Sequence, residues 1–180
     1  VYFQTDSDNY HTAKISAFVV GNENDGYFAS RDLELLNSLV VRKLFKGDLP
    51  KYVFNAKELI VLLNRLGLQI NNLDFDFLLV SYLLDTTDND NQLATLANRF
   101  NVFLESDAEV YGSGVKFKIP ENNETLFSHM ANKASTISKL HDPSMKKLSD
   151  HQQAELYRQI ELPLSKVQWK LTVSSLTKQS

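Results

Sequence analysis

The run Leu73-Asp74-Phe75-Asp76-Phe77-Leu78-Leu79-Val80-Ser81-Tyr82-Leu83-Leu84-Asp85 passes from a brief extended segment straight into a helix. Residues 73–75 read as a short strand or turn, and residues 76–84 as a helix with Leu79, Tyr82 and Leu83 on its inner stripe. Just upstream, residues 51–54 form a short apolar run after Pro50. Asn55 can then cap a helix over residues 56–66 that Gly67 terminates. A strand again feeds a helix, so the two kinds of element alternate through the middle of the chain.

Towards the N-terminus the period is that of strands. Residues 1–5, residues 14–20 and residues 27–29 after the turn signal Asn24-Asp25-Gly26 predict a short antiparallel meander. From Ser30 the spacing of Leu33, Leu36, Val40 and Leu44 becomes helical. One helix is expected over residues 32–46, with Ser30 as N-cap and Gly47 just past its end. Towards the C-terminus the polar run 86–91 breaks the pattern and residues 92–100 make a short helix. Residues 105–120, holding Gly112, Gly114 and Pro120, read as an irregular crossing segment. A long helix follows over about residues 124–140. Pro143 separates it from a last helix running through Leu156, Ile160 and Leu164 toward Trp169, which Pro163 should kink or split. The whole is an α/β domain with one mixed central sheet flanked by helices and a helical exit.

With 180 residues, 43% of them hydrophobic, the chain is long enough for one domain with a substantial core. The net charge of -3 gives no overall electrostatic reason to sit on nucleic acid, whose affinity for proteins rests on Lys and Arg neutralising phosphates. The absence of cysteine excludes disulfides, zinc thiolate sites and cysteine catalysis, and suits a reducing cytoplasm. No apolar run approaches the roughly 18 residues of a membrane span, and no basic leader precedes Val1. Because the chain opens inside an apolar, strand-like run without Met, it is expected to be a piece of a longer protein.

Three segments stand out together: Phe3-Gln4-Thr5-Asp6-Ser7-Asp8, Asn55-Ala56-Lys57-Glu58-Leu59 and His129-Met130-Ala131-Asn132-Lys133. With residues 73–85, Asn9-Tyr10-His11, Asp107-Ala108-Glu109-Val110-Tyr111-Gly112-Ser113-Gly114-Val115-Lys116, Pro120 and Leu156-Tyr157-Arg158-Gln159-Ile160-Glu161-Leu162-Pro163-Leu164, they match in order, over nearly the whole chain, a known family. The chain resembles the 3′→5′ exonuclease-like domain of bacterial family A DNA polymerases, of the Bacillus type. The resemblance implies a ribonuclease H-like exonuclease fold over residues 1–150. It makes residues 151–180 the start of the helix by which the chain enters the polymerase region, with no role assigned to residues 171–180.

Active proofreaders of that family carry an Asp-x-Glu pair on the first strand, an Asn followed four residues on by Asp, and a Tyr followed four residues on by Asp. Carried over by position, Asn55 is kept but Leu59 stands at the acidic site of the second motif, and His129 and Lys133 stand in the third. The first motif has two readings. One puts Gln4 and Asp6 at the acidic positions and shortens the following loop, whereas the ungapped one uses Tyr2 and Gln4. A two-metal nuclease holds its cations about 3.5–4 Å apart with a cluster of acids, so these replacements remove the reaction's electrophile. No residue is therefore assigned a catalytic, cofactor or metal role. Leu59, spaced with Leu62, Leu63 and Leu66, reads as a core position. His129 and Lys133 share a helix face, where the ammonium would repel divalent cations and pair with Asp6 or a neighbouring acid. Leu59 and Lys133 are then expected to fill the volume that metals and a DNA end would take.

The other signals read blandly. Asp85, Asp88 and Asp90 lack the Gly and Glu of a calcium loop. Residues 111–116 lack the ending of a phosphate cradle. His11, His129, His141 and His151 have no metal-ligand spacing and read as surface or cap residues. Asn123-Glu124-Thr125 is a glycosylation sequon only in a secreted protein. The resemblance implies an inactive scaffold for a DNA-directed DNA polymerase module of the same chain, which would use magnesium and bind primer-template DNA in replication and repair. Two rivals are an active nuclease using relocated acids (Asp6, Asp8, Asp74, Asp76) and a single-stranded nucleic-acid-binding module, which would need a basic groove with exposed aromatics.

Overall fold

In a computed structural model of the chain, which describes residues 1–153 together with Glu155 and Tyr157, the alternation in the middle third is realised as two strand-to-helix units. Strands β4 (Lys51–Val53) and β5 (Leu73–Asp76) pair in parallel, with Tyr52 opposite Phe75 and Val53 opposite Asp76. Between β4 and helix α2 (Ala56–Arg65), Asn55 adopts a left-handed φ of 68°, and its side chain accepts from the Glu58 N–H. Asn tolerates that conformation because its short side chain bonds locally. Past the end of α2, Gly67 takes a φ of 70°, the turn that helices commonly leave to glycine.

Helix α3 (Phe77–Leu84) starts one residue later than expected, because Asp76 is its cap. Its buried face is Phe77, Val80 and Leu83, whereas Tyr82 stays 52% exposed and Leu79 is only partly covered. In a stretch so uniformly apolar no stripe stands out, and packing against a later helix selects the face.

The N-terminal meander is present as β1 (Tyr2–Thr5), β2 (Ile15–Asn22) and β3 (Gly26–Ser30), antiparallel in the order β1-β2-β3. Asn22 builds the hairpin turn, its Oδ1 accepting from the N–H groups of Asn24 and Asp25. The strands thus form two hydrogen-bonded blocks, one antiparallel and one parallel. They meet where the Val1 nitrogen donates to the Tyr52 carbonyl at 3.1 Å.

The single helix expected over residues 32–46 is divided. A 3-10 turn, Leu33–Asn37, is capped by Asp32, and α1 (Leu39–Lys46) is capped by Ser38, whose Oγ accepts from Val41 N–H. Ser30 is not a helix cap; its Oγ accepts from the Asp32 N–H. Ser side chains compete locally for backbone donors, and Ser38 interrupts the apolar period by doing so.

Helix α4 is Leu93–Asn98. The segment read as irregular contains the short helix α5 (Asp107–Tyr111), capped by Ser106, and a 3-10 turn, Gly114–Lys116. Gly112 closes α5 at φ 82°, where a Cβ would lie 2.5 Å from the Lys116 carbonyl oxygen, so no other residue fits without a backbone shift.

Instead of ending before Pro143, helix α6 runs as one element through Asn123–Asp150. Its first half buries Leu126, Met130 and Ala134 against Ala17 and Val19 of β2, and its second half buries Ile137, Leu140 and Leu148 with Phe75, Phe77 and Val80. Apolar burial on both sides of the proline offsets the backbone hydrogen bond it removes. Restoring that bond with Pro143→Ala is expected to stabilise the chain by about 1 kcal/mol, an upward shift of about 2–4 °C in thermal unfolding. An unchanged or lower midpoint would mean that the packing depends on the proline. The last helix, Pro163 and the Leu156, Ile160, Leu164 and Trp169 stripe lie outside the described residues. No helix among the described residues is long and apolar enough to cross a membrane.

Candidate functional site

The end of β1, the start of α2 and the middle of α6 converge on one cleft of about 280 Å³, lined among others by Gln4, Asp8, Asn55, Glu58, Asp107 and Lys133. All three segments singled out in the sequence therefore reach the same place, because α6 crosses the meander and β4 together.

At the cleft's floor lies a buried charge. Lys133, 2% exposed, has its Nζ 2.5 Å from Asp107 Oδ1, 3.0 Å from Gln4 Oε1 and 3.2 Å from the Tyr2 hydroxyl. It also sits 4.6 Å from the Tyr2 ring centroid and 5.2 Å from that of Tyr111, within cation–π range. Gln4, 5% exposed, is saturated: its Oε1 accepts from both Lys133 and the Tyr111 hydroxyl, and its Nε2 donates to the Thr5 carbonyl. His129, 3% exposed, places Nε2 2.8 Å from the same Asp107 oxygen and its ring edge-on to Tyr111. It is thus a buried partner of Asp107, neither surface nor cap. Burial works against the charge of Asp107, but the His129 hydrogen bond and the Lys133 ammonium outweigh it and hold the carboxyl below its usual range.

Asp107 is the functional residue that sequence reasoning missed. It sits in the segment expected to lack structure, and α5 brings it across the cleft. The anticipated partner, Asp6, is elsewhere: the pairing of β1 with β2 shifts register between Gln4 and Thr5, and Asp6 beyond it accepts from Lys14 N–H at 2.8 Å.

Leu59 is 4% exposed and packs in the core with Phe3, Phe18, Leu62 and Leu63, as its spacing predicts. It does not line the cleft, so it does not fill the volume there. That wall belongs to Glu58, which lies on the other side of α2 and accepts from Asn55 Nδ2 at 3.2 Å. Burial and then the nearby charge of Asp8 push the Glu58 carboxyl up, and Lys133 pulls it part of the way back.

The four acids offered as relocated ligands do not gather. Asp6 ties the loop to Lys14, Asp8 is exposed at the cleft, Asp74 is exposed on β5, and Asp76 is buried as a backbone acceptor. Among the described residues no three His, Asp or Glu groups are placed to hold a metal ion together. Asp85, Asp88 and Asp90 form successive turns, each accepting from the backbone N–H two residues on, and Asp88 pairs with Arg99. His141 stacks flat on Tyr52 at 4.5 Å, and His151 Nδ1 lies 2.6 Å from the Lys147 carbonyl oxygen at the end of α6.

The mixed α/β architecture with three such segments meeting at one cleft defines a ribonuclease H-like domain of the exonuclease type. Residues 1–140 match the family described as "DNA polymerase I, ribonuclease H-like domain", and the chain belongs to that family. It is 32% identical to DNA polymerase I of Lactococcus lactis subsp. cremoris over 98% of its own length and 19% of the relative's. Against DNA polymerase I of Bacillus subtilis the identity is 29% over 88% of this chain and 18% of the relative. Against that of Streptococcus pneumoniae serotype 4 it is 34% over 97% and 20%. The chain thus spans about a fifth of the length of the curated relatives it matches.

Proposed function

We propose that this domain is a non-catalytic scaffold of a DNA polymerase I, bracing a DNA-directed DNA polymerase module carried on the same chain. Template-directed nucleotide addition with magnesium belongs to that module, primer-template DNA is bound through the whole protein, and the work is cytoplasmic replication and repair. Residues 1–150 are the degenerate exonuclease-like domain, and residues 151–180 lead into the polymerase region.

The observation that carries this reading is the Lys133 ammonium held by Asp107, Gln4 and Tyr2 at the floor of the cleft. Hydrolysis by a metal pair needs several ionised carboxylates converging on the two cations. Here Gln4 contributes a neutral amide, Asp107 already faces Lys133 and His129, and Glu58 is pushed by burial and Asp8 toward its protonated form. A cation about 4 Å from the ammonium would meet a repulsion of roughly 4 kcal/mol per unit of its charge at an effective dielectric of about 20. That donor set does not fit a metal pair.

The purified chain with a labelled single-stranded oligonucleotide and magnesium or manganese is expected to release nucleotides no faster than with chelator added. Metal-dependent degradation that stops on chelation would overturn the scaffold reading. The rival using Asp6, Asp8, Asp74 and Asp76 has no grouping of those acids in its favour. The single-strand-binding rival faces a cleft with Asp8, Glu58, Glu105 and Asp107 on its walls, the opposite of a basic groove.

A further inference from the structure

We infer that the oxygen cage around Lys133 is a cation site whose occupant is covalently attached, and that removing the ammonium opens it to a free divalent cation. The inference rests on the scaffold reading and deepens it: the cleft is closed to cations by occupancy, not by loss of every donor.

Three oxygens of different chemistry point at one nitrogen: a carboxylate from Asp107, an amide carbonyl from Gln4 and a phenol from Tyr2. Hard oxygen donors of these kinds suit magnesium, calcium and manganese as well as they suit an ammonium. Each is held from behind. His129 Nε2 fixes the Asp107 carboxylate, the Tyr111 hydroxyl and the Thr5 carbonyl fix the Gln4 amide, and Tyr2 lies on β1, paired with Val19. Carboxylates that bind metals usually have such orienting partners. Two further acids, Glu58 and Asp8, line the same cleft, and the Lys133 charge acts on Glu58. Truncating Lys133 to Ala leaves the cage with its anionic oxygens, an empty volume in place of the side chain, and no positive charge at its centre.

The test uses the 180-residue chain and manganese alone, with binding read as loss of the free-ion signal in electron paramagnetic resonance and folding checked by circular dichroism. The parent is expected to bind manganese only weakly and without saturation. Lys133→Ala should bind one ion at least tenfold more tightly, and Lys133→Ala/Asp107→Asn should lose that gain. Lys133→Met, which removes the charge but refills the volume, should bind no better than the parent. A folded Lys133→Ala that binds manganese no more tightly than the parent would overturn the inference. If Lys133→Ala is unfolded without metal, Lys133→Ser, whose hydroxyl can still meet Asp107, is the second variant. Refolding of either by manganese supports the cage, and failure of both to refold or bind overturns it. A null result in the variants leaves an inert parent inert, whereas nuclease activity of the parent removes the scaffold reading whatever the variants bind.

Discussion

Asp107→Ala is expected to lower the unfolding free energy by about 2–3 kcal/mol, read as a lower urea midpoint at unchanged slope. The substitution strands a Lys133 ammonium that is 2% exposed, and removing one partner of a buried pair leaves a charge with no compensation. The lower end of the usual range applies because the Asp107 side chain is itself 32% exposed, so water can partly replace it. Removing Lys133 as well should recover part of the loss, with a coupling of at least about 1 kcal/mol in the double-mutant cycle. The pair also sets a pH dependence. A carboxyl held low in the folded state contributes stability that is present above its unfolded value and is lost as pH falls through the folded one. The ordinary value is 3.8, so the gap between the parent and Asp107→Asn should be constant near neutrality and close as pH drops below that value. A gap that widens with acid, or a loss under about 0.5 kcal/mol for Asp107→Ala, typical of surface changes, would show that the bridge does not hold the cleft floor.

The second large effect is expected at Asp76, where Ala should cost about 3–5 kcal/mol. One oxygen of this carboxylate, 2% exposed, accepts from Asn55 N–H at 2.9 Å and Leu78 N–H at 3.0 Å, and the other from Ala56 N–H at 2.8 Å. A single side chain thus caps α3 and stitches it to the start of α2 across the parallel pair β4–β5. Ala leaves three backbone donors without that acceptor, each worth about 1–3 kcal/mol when buried and unmet. Asp76→Asn keeps one acceptor oxygen and should lose about half as much. Burial raises the Asp76 carboxyl, with the backbone donors pulling the other way, so acidification through its range favours the folded state, opposite in sign to Asp107. Chemical denaturation of the two variants decides the matter: a cost for Ala no larger than for Asn would mean that the donors find other partners.

These two acids show how differently the chain discloses its parts. Asp76 was legible at the boundary between an extended run and a helix, one residue from its actual place, because capping is settled within a single turn. The same holds for Asn55, for Gly67 and for the hairpin at Asn22–Gly26, each governed by neighbours a few positions away. Pro143 was misread because the rule for an isolated helix ignores what α6 buries on both sides of it. Ser38 divided a helix whose apolar spacing ran on without a break.

By itself, then, the sequence determined the order of strands and helices, the family, the core placement of Leu59, and the three segments that would meet. Only the tertiary structure decided that Lys133 answers Asp107 instead of Asp6, that Glu58 rather than Leu59 walls the cleft, and that His129 is a buried partner. Backbone signals act over one turn, and the chain carries their cause beside their effect. Which side chains face each other across a cleft depends on how whole elements pack, and here the path of α6 over two blocks of strands and the one-residue shift at the end of β1 settled it.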